Sequence, residues 1–460
     1  MPKIVLASIN AKWIHPSLAL RLLKANLGAH EKNSEIMEFA LRQSLAEKLS
    51  QITAACPRIL ALSVSIWNHG ATVELLKEIN KKAITERGEF KKPVIALGGP
   101  ELSFLNEDAE IFTYADYVIR GEGEIAFRDL CNHILAGTDK AAVPDKKFLT
   151  DGENKVNINE IKSAYHLYTE EDLEKKLTYV EASRGCPYGC EFCSSAVKPQ
   201  NPQESGSPVR EFPLKPFFAE MRDLIRRGAK TFKFLDRTFN VNIDRAIKIM
   251  EFFLRFLENP DPTAPPPRSF TVHFEMVPGN FPPKLRNCLR RFPPGTLRLE
   301  IGIQTLNPQS AALIHRCGEA EKELEIIEFL RRETNAIVHA DLIAGLPAED
   351  LASFGEGFDR LWIAMTKNTA PQSAAPQSAA ETRMEIQLGI LKLLPGAPIA
   401  RHNKSCGMRY SPRPPYEVIE SAAMSRREMD SIKNFARFWE RIVNRGHFTE
   451  QAGRLLPQGE

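Results

Sequence analysis

The stretch Glu181-Ala-Ser-Arg-Gly-Cys-Pro-Tyr-Gly-Cys-Glu-Phe-Cys193 decides how this chain is read. It places three thiols, Cys186, Cys190 and Cys193, close enough together to ligate three irons of one cubane cluster. Cluster-binding folds normally supply four cysteines, so a three-thiolate loop leaves one iron with an open coordination position, the mark of chemistry rather than scaffolding. Gly185 and Gly189 relax the backbone around a bulky ligand, and the run Leu177 to Val180 reads as a strand feeding the loop. A zinc site wants a fourth Cys or His at matched spacing, and Cys288, Cys317 and Cys406 stand isolated. Eight cysteines in 460 residues is not the density of a disulfide-stapled domain. Cys56, Cys131, Cys288 and Cys317 lie in apolar or helical contexts that suit buried free thiols.

With 43% hydrophobic residues the chain can bury substantial cores and divides into two or three domains. Sixty-one basic against 58 acidic residues leave a net charge of +3, so no whole-chain field points to nucleic acid or an anionic membrane. Met1 to Asn10 is too short an apolar start for a signal segment, and no run of about 18 apolar residues occurs. A cytoplasmic location, where thiols stay reduced, is the expectation.

Strand-like runs at Ile4 to Ile9, Ile59 to Ser65, Val94 to Leu97 and Tyr117 to Ile119 alternate with helix-like Leu18 to Leu27, Ala71 to Asn80 and Glu124 to Ala136. Glu35 to Phe39 adds a further strand candidate. This rhythm predicts a doubly wound, flavodoxin-like parallel sheet over residues 1–140, with ligands at the carboxyl ends of the strands. Those ends carry Asn10 to His15, Ser65 to Gly70, Gly98-Gly99-Pro100-Glu101 and Arg120 to Glu124. His69 reads as a surface or loop residue rather than a ligand. Polar residues 141–174 read as a linker with short helical pieces. Beyond the Cys loop, strand candidates recur at Thr231 to Leu235, Ser269 to Glu275, Thr296 to Ile303, Ile337 to Ile343 and Glu385 to Leu391. With the strand before Cys186 they make six units, a partial (β/α)6 barrel over 175–400 whose active residues belong at the strand ends. These are Asp236 to Asn240, Glu275, Glu300 and Gln304, Asp341, and Gly345-Leu346-Pro347. Residues 370–379 repeat Ala-Pro-Gln-Ser-Ala within a polar stretch, Lys367 to Thr382, that reads as a solvated insertion. A small helical region, 401–460, closes the chain, with an aromatic-basic run from Phe435 to Phe448.

The Cys-x3-Cys-x2-Cys loop after a strand, with an aromatic residue before its third Cys, resembles the signature of the radical S-adenosylmethionine (radical SAM) enzymes. The phrases Phe234 to Asn240, Glu300 to Asn307, Asp341 to Pro347 and Leu391 to Pro398 resemble that family too. Leu97-Gly-Gly-Pro100 followed by Ala115 to Glu124 resembles the cobalamin-binding domain that precedes the barrel in one class of these enzymes. Residues 10–21, Asn-Ala-Lys-Trp-Ile-His-Pro-Ser-Leu-Ala-Leu-Arg, are similar to the start of members of that class with unassigned substrate. The likeness covers residues 1 to about 450, and since such proteins tend to run longer, a shortened C-terminal end is expected.

The resemblance implies a 4Fe–4S cluster on Cys186, Cys190 and Cys193. It implies SAM on the open iron, near Asp236, Glu300, Gln304, Ile343, Gly345 and Leu346, with Arg184 offsetting charge. It implies cobalamin over Ser63, Ser65, Gly98, Gly99, Gly121 and Glu122. The cobalamin signature Asp-x-His-x-x-Gly is broken: His15 keeps its place, but Trp13 and Leu18 stand where Asp and Gly belong. The expectation is cobalt with no protein His below it, or a domain that has lost the cofactor. The implied reaction is methyl transfer to an unactivated carbon or phosphorus of a small-molecule or lipid-like substrate, or a related radical reaction such as a ring-forming oxidation. The implied reductant is a flavodoxin or ferredoxin, and neither a nucleic-acid partner nor a membrane span is expected. RNA methylthiolation is disfavoured, because the N-terminal region holds only Cys56 and Cys131 rather than a second cysteine triplet. A non-catalytic cobalamin or redox sensor is the third reading, and reductive SAM cleavage separates it from both enzymes.

Overall fold

The computed structural model describes residues 3–85, 90–136, 147–150, 156–196, 207–258, 269–316, 318–366 and 384–445. The Ala-Pro-Gln-Ser-Ala repeat, Cys317 and the end of the aromatic-basic run lie outside them. The chain forms two compact units: Met1–Val180 with Glu211–Ala229, and Glu181–Arg210 with Lys230–Glu460.

The first unit is built on strands β1 (Ile4–Asn10), β2 (Ser34–Ala40), β3 (Ile59–Ser63), β4 (Val94–Gly98), β5 (Tyr117–Arg120) and β6 (Phe148–Thr150). They form one sheet in the order β2-β1-β3-β4-β5-β6, with every described pair parallel. This is the flavodoxin-like order extended by one strand, and its switch point lies between β1 and β3. Residues Ile4 to Ile9 of β1 are all buried, which explains a continuous apolar run where alternation would mark a half-exposed strand. Val5, Leu60, Leu62, Ile95 and Leu97 pack on one face with Ile52, Leu75 and Ile79. Ile4, Leu6, Ile59, Ala96 and Ile119 pack on the other with Leu20, Phe127 and Leu130. Helices therefore cover both faces. The helix Leu18–Ala25 starts at Ser17, whose hydroxyl accepts from Leu20 N, and Leu45–Ala55 starts with a Ser44–Glu47 capping box.

The described part of the stretch expected to be a linker, 147–150 and 156–174, packs in part. It contributes β6 and the helix Glu170–Lys175, and Asn26 bonds to the Lys162 backbone in both directions. Arg21, 4% exposed, pairs with Glu38 at 3.1 Å and Asp172 at 2.8 Å and lies over the Tyr168 ring.

The second sheet runs β14-β13-β12-β11-β10-β7, with β7 at Thr178–Val180, β10 at Thr231–Phe234, β11 at Thr271–Met276, β12 at Leu297–Gln304, β13 at Ile337–Ala344 and β14 at Met384–Ile390. The described pairs are parallel, giving the expected six-stranded partial barrel. Alternation along these strands separates two faces. Phe232, Phe234 and Phe274 are buried, and the first two meet Phe253 of the helix Ile243–Glu258 at 5.1 and 5.9 Å between ring centroids. The opposite face carries Lys233, His273, Glu275, Arg298, Glu300, His339, Asp341 and Glu385, a polar interior of the kind that holds ligands rather than packing. Strands β8 (Ser183–Cys186) and β9 (Ser207–Glu211) form a two-stranded ribbon at the Cys loop. The C-terminal region adds the antiparallel pair β15 (Arg409–Tyr410) and β16 (Val418–Glu420) and a helix, Arg426–Trp439. Among the described residues no helix is long and apolar enough to cross a membrane.

Candidate active site

The cluster loop is fixed by its first residues. Gly185 has φ +103°, and a Cβ there would lie 2.3 Å from the Pro208 carbonyl oxygen, so only glycine lets the ribbon close. The Cys186 N–H donates to Ser207 Oγ at 3.2 Å, and Cys193 N–H to Cys190 O at 3.0 Å. Asp236, fully buried at the end of β10, accepts from Ala182 N–H at 2.9 Å and Ser183 Oγ at 2.5 Å. Burial pushes its carboxyl up to about 6, and those two donors pull it back. Both oxygens are thus engaged in holding the strand that leads to Cys186, which makes Asp236 a positioning residue for the loop.

Each thiol has a polar neighbour. Thr238 Oγ1 lies 3.5 Å from Cys186 Sγ, Arg316 Nη1 3.9 Å from Cys190 Sγ, and Ser195 N–H donates to Cys193 Sγ at 3.4 Å. Burial pushes the Cys190 thiol up, Arg316 opposes this, and Cys186 and Cys193 are near enough to add repulsion. None of the three is in a disulfide, and the described residues offer no group of three His, Cys, Asp or Glu side chains gathered on a single ion. Three free thiols, with Cys190 near both others and polar groups at each sulfur, fit a cluster, whose potential such groups tune. Cys131 and Cys288, by contrast, are buried thiols pushed up to about 12 and about 11. Cys56, expected to be buried as well, is exposed.

One carboxylate ties this loop to two distant segments. Glu191, 3% exposed between Cys190 and Cys193, pairs with Arg401 at 2.5 Å, His402 at 2.9 Å and His315 at 3.2 Å. Its N–H donates to Ile314 O, and its carbonyl accepts from Ile399 N–H. The 314–316 turn that Glu191 anchors is the one that delivers Arg316, whose other nitrogen bonds to Gly302 O.

The strand ends bring Glu275, Glu300, Gln304 and Asp341 to one face. Glu275 faces Glu300 across the β11–β12 register, and Gly302 faces Asp341 across β12–β13. Gln304 sits at φ +72° after an irregularity in that ladder, a conformation costly for a non-glycine residue and concentrated at functional sites. Burial and the neighbouring Glu300 raise Asp341 to about 8 and Glu275 to about 7. Glu300 is held down to about 2 against its own burial by His273, 3.4 Å away, and Lys233, also 3.4 Å away. Asp341 Oδ1 and His339 Nε2 are buried without a hydrogen-bond partner. Unsatisfied buried acceptors of this kind call for donors from outside the protein.

Of the other sequence candidates, Ile343 is partly buried on this face, whereas Leu346 is fully buried. A Cβ at Gly345, φ +84°, would lie 2.5 Å from Val418 Cγ1 and 3.1 Å from Met429, so packing of the C-terminal region suffices to require glycine there. Arg184 pairs with Glu181 at 2.7 Å. Arg316 and Glu191 were missed: their partners lie far off in sequence, and neither residue type announces a role by spacing.

In the first unit, Ser63, Ser65, Gly98, Gly99, Gly121 and Glu122 come together along the carboxyl ends of β3, β4 and β5. A Cβ at Gly99, φ +113°, would lie 2.3 Å from Val64 O, so two backbones meet here at closest approach. Asn68, 2% exposed, donates to Ile9 O and Ser63 O and accepts from Ser65 N–H, knitting the ends of β1 and β3 at the switch point. Gly121 N–H donates to Ser103 Oγ. This bare backbone cradle fits a broad ligand laid over the edge. His15 Nδ1 meets the Tyr179 hydroxyl at 2.8 Å, and Trp13 sits beneath Lys176. His69 is not the surface residue expected: its side chain is 14% exposed and Nδ1 lies 3.1 Å from Glu101 Oε1, itself 1% exposed.

Residues 3–131 match the B12 binding domain family, and residues 180–361 match the radical SAM superfamily. An uncharacterised methyltransferase of Pyrococcus horikoshii is 26% identical over 205 residues, 42% of this chain and 41% of the relative. The cobalamin-dependent radical SAM methyltransferase TokK of Streptomyces tokunonensis is 26% identical over 158 residues, 30% of this chain and 22% of the relative. The matches thus span less than half the length of either relative. Among solved structures, the radical SAM methyltransferase TsrM of Kitasatospora setae, with cobalamin and a 4Fe–4S cluster bound, superposes with a TM-score of 0.62 at 17% identity, covering 90% of this chain and 82% of that one. The cobalamin-dependent radical enzyme OxsB superposes with a TM-score of 0.59 at 16% identity, over 78% of this chain and 51% of that one. At such identities the superpositions speak for the fold. The chain thus carries a B12-binding domain at residues 3–131 followed by a radical SAM domain at residues 180–361, with the three-cysteine loop near the start of the second.

Proposed function

We propose that this protein is a cobalamin-dependent radical SAM methyltransferase acting on a small molecule. The observation that carries the reading is the three-thiol loop, Cys186, Cys190 and Cys193, at the head of a parallel half-barrel whose inner face presents unsatisfied acceptors. Bound cluster, SAM and cobalamin supply the one-electron cleavage of SAM and the transferable methyl group; the protein orients and shields. The three cysteines hold the cluster, and Arg316 offsets negative charge beside Cys190. Asp236 and Glu191 hold the loop in shape through Ala182, Ser183, Arg401 and His402. Asp341, whose Oδ1 is buried without a partner, Glu275 and Gln304 would hold SAM on this face; Glu300, Ile343 and the backbone at Gly345 and Leu346 would complete that site. Ser63, Ser65, Gly98, Gly99, Gly121 and Glu122 line the cobalamin edge. Electrons come from a flavodoxin or ferredoxin. The named relatives are methyltransferases, which favours this reading over methylthiolation or sensing.

The test is anaerobic reconstitution with iron, sulfide and hydroxocobalamin, followed by metal analysis and assay of 5′-deoxyadenosine. The reading expects about four irons and one cobalt per chain, with the iron lost from a Cys186→Ala, Cys190→Ala, Cys193→Ala variant. Iron without cobalt sinks the methyltransferase proposal.

A further inference from the structure

We propose that His69 Nε2, at the β3 edge of the first unit, is the protein ligand to cobalt, in place of the histidine that would follow β1. The inference rests on the cobalamin reading and goes beyond it. In the 2-1-3-4-5 arrangement the ligand crevice opens where β1 and β3 diverge, so a side chain that meets a cofactor from the protein side must leave one of those two strands or their neighbour β4. Two histidines do so, and their surroundings differ.

His15, after β1, spends Nδ1 on the Tyr179 hydroxyl at 2.8 Å, with the two rings stacked at 6.2 Å between centroids. A phenol can serve as donor or acceptor, so it does not fix the tautomer, and no carboxylate stands in Trp13's position to do so. His69 meets a carboxylate. Its Nδ1 lies 3.1 Å from Glu101 Oε1, and Glu101 is buried in the turn after β4, two residues beyond the Gly99 close approach. A carboxylate oxygen accepts, so this contact favours the tautomer with its proton on Nδ1, which leaves Nε2 as the acceptor. Neither a described hydrogen bond nor burial closes off Nε2. A carboxylate on one ring nitrogen, with the other left open, is the arrangement that orients metal-ligating histidines and raises their basicity. The backbone holds the residue in place: the neighbouring Asn68 bonds to Ile9 O, Ser63 O and Ser65 N–H, and its own carbonyl accepts from Thr72 N–H as the helix His69–Thr85 begins. The broken Asp-x-His-x-x-Gly signature is thereby replaced by a His and a carboxylate from different loops, which no sequence spacing reveals.

The experiment uses the full chain reconstituted with hydroxocobalamin, desalted, reduced to the cobalt(II) state and examined by electron paramagnetic resonance. One axial nitrogen splits each cobalt line into three. Protein grown on nitrogen-15 histidine turns each triplet into a doublet if that nitrogen is a histidine's, whereas the cofactor's own base gives no change. The proposal expects the doublet in labelled protein, its loss in His69→Ala and its retention in His15→Ala. Glu101→Gln should weaken cobalamin binding about 10- to 100-fold. Bound cobalamin whose spectrum ignores the label, or loses its coupling in His15→Ala instead, overturns the proposal alone. Desalted protein without any cobalt signal removes the cobalamin reading along with it. The wild-type isotope comparison decides the matter even if a variant fails to fold, and a histidine that merely pinned the helix would leave the spectrum unchanged.

Discussion

Asp341 shows how one residue can work against the fold that holds it. Its carboxyl, buried beside Glu300 and Glu275, is raised to about 8, so the folded state binds its proton more tightly than the unfolded chain does. Wherever the folded state binds more protons, stability falls as pH rises. The cost begins above the ordinary value of 3.8, grows to about pH 8 and is constant beyond it. Asp341→Asn should therefore raise stability by roughly 5 kcal/mol at about pH 8 and leave it nearly unchanged at about pH 4, measured by thermal unfolding at both values. The same variant should weaken SAM about tenfold by equilibrium dialysis, one charge-assisted hydrogen bond being worth about 1.5–3 kcal/mol. Gain of stability with loss of affinity separates a carboxylate kept for a ligand from one kept for packing. Glu191 predicts the opposite pairing. Glu191→Ala strands Arg401 and His402 without their shared partner, so stability should drop by about 3 kcal/mol and retained iron should fall after desalting; unchanged iron would show that the loop holds its shape unaided.

At the scale of elements, the strands were legible wherever burial on both faces made a continuous apolar run, as in Ile4 to Ile9, or where alternation was strict, as in Leu297 to Gln304. The run from Ile59 ends two residues early, at Ser63, because Asn68 takes the Ser65 N–H that the ladder would have used. Strand β6 escaped notice: three residues in a polar stretch carry no periodicity, and it exists through pairing with Val118 to Arg120. The nearness of Cys186, Cys190 and Cys193 was legible because covalent spacing places them, while Arg316 depends on a turn anchored by another residue and leaves no trace in spacing. The β4 turn offers a test at this scale. Gly99→Ala puts a Cβ 2.3 Å from a backbone oxygen that cannot move aside cheaply, at a φ disfavoured for alanine. It should cost about 1–3 kcal/mol and abolish cobalamin retention, whereas Gly121→Ala, with open space around its Cβ, should pay only for its φ. Equal effects of the two, by thermal unfolding and cobalt content, would refute the cradle.

For the molecule as a whole, two compact units with separate cores predict more than one calorimetric transition. Arg21→Ala removes one of the two cations, with Lys176, that Glu38 and Asp172 share and should lower only the transition of the first unit, by about 1–3 kcal/mol, while cluster loading should raise only the other. A single transition that moves with both treatments would contradict this. The Glu191 clamp has one more consequence, and it concerns time. Glu191 and His402 lie 211 residues apart in the chain yet share a hydrogen bond of 2.9 Å. At about 5–20 residues per second, a ribosome that has released the three cysteines needs roughly ten to forty seconds more to deliver Arg401 and His402. Throughout that interval the three thiols lack this clamp, which leaves the nascent loop open to oxidation and to the wrong metal.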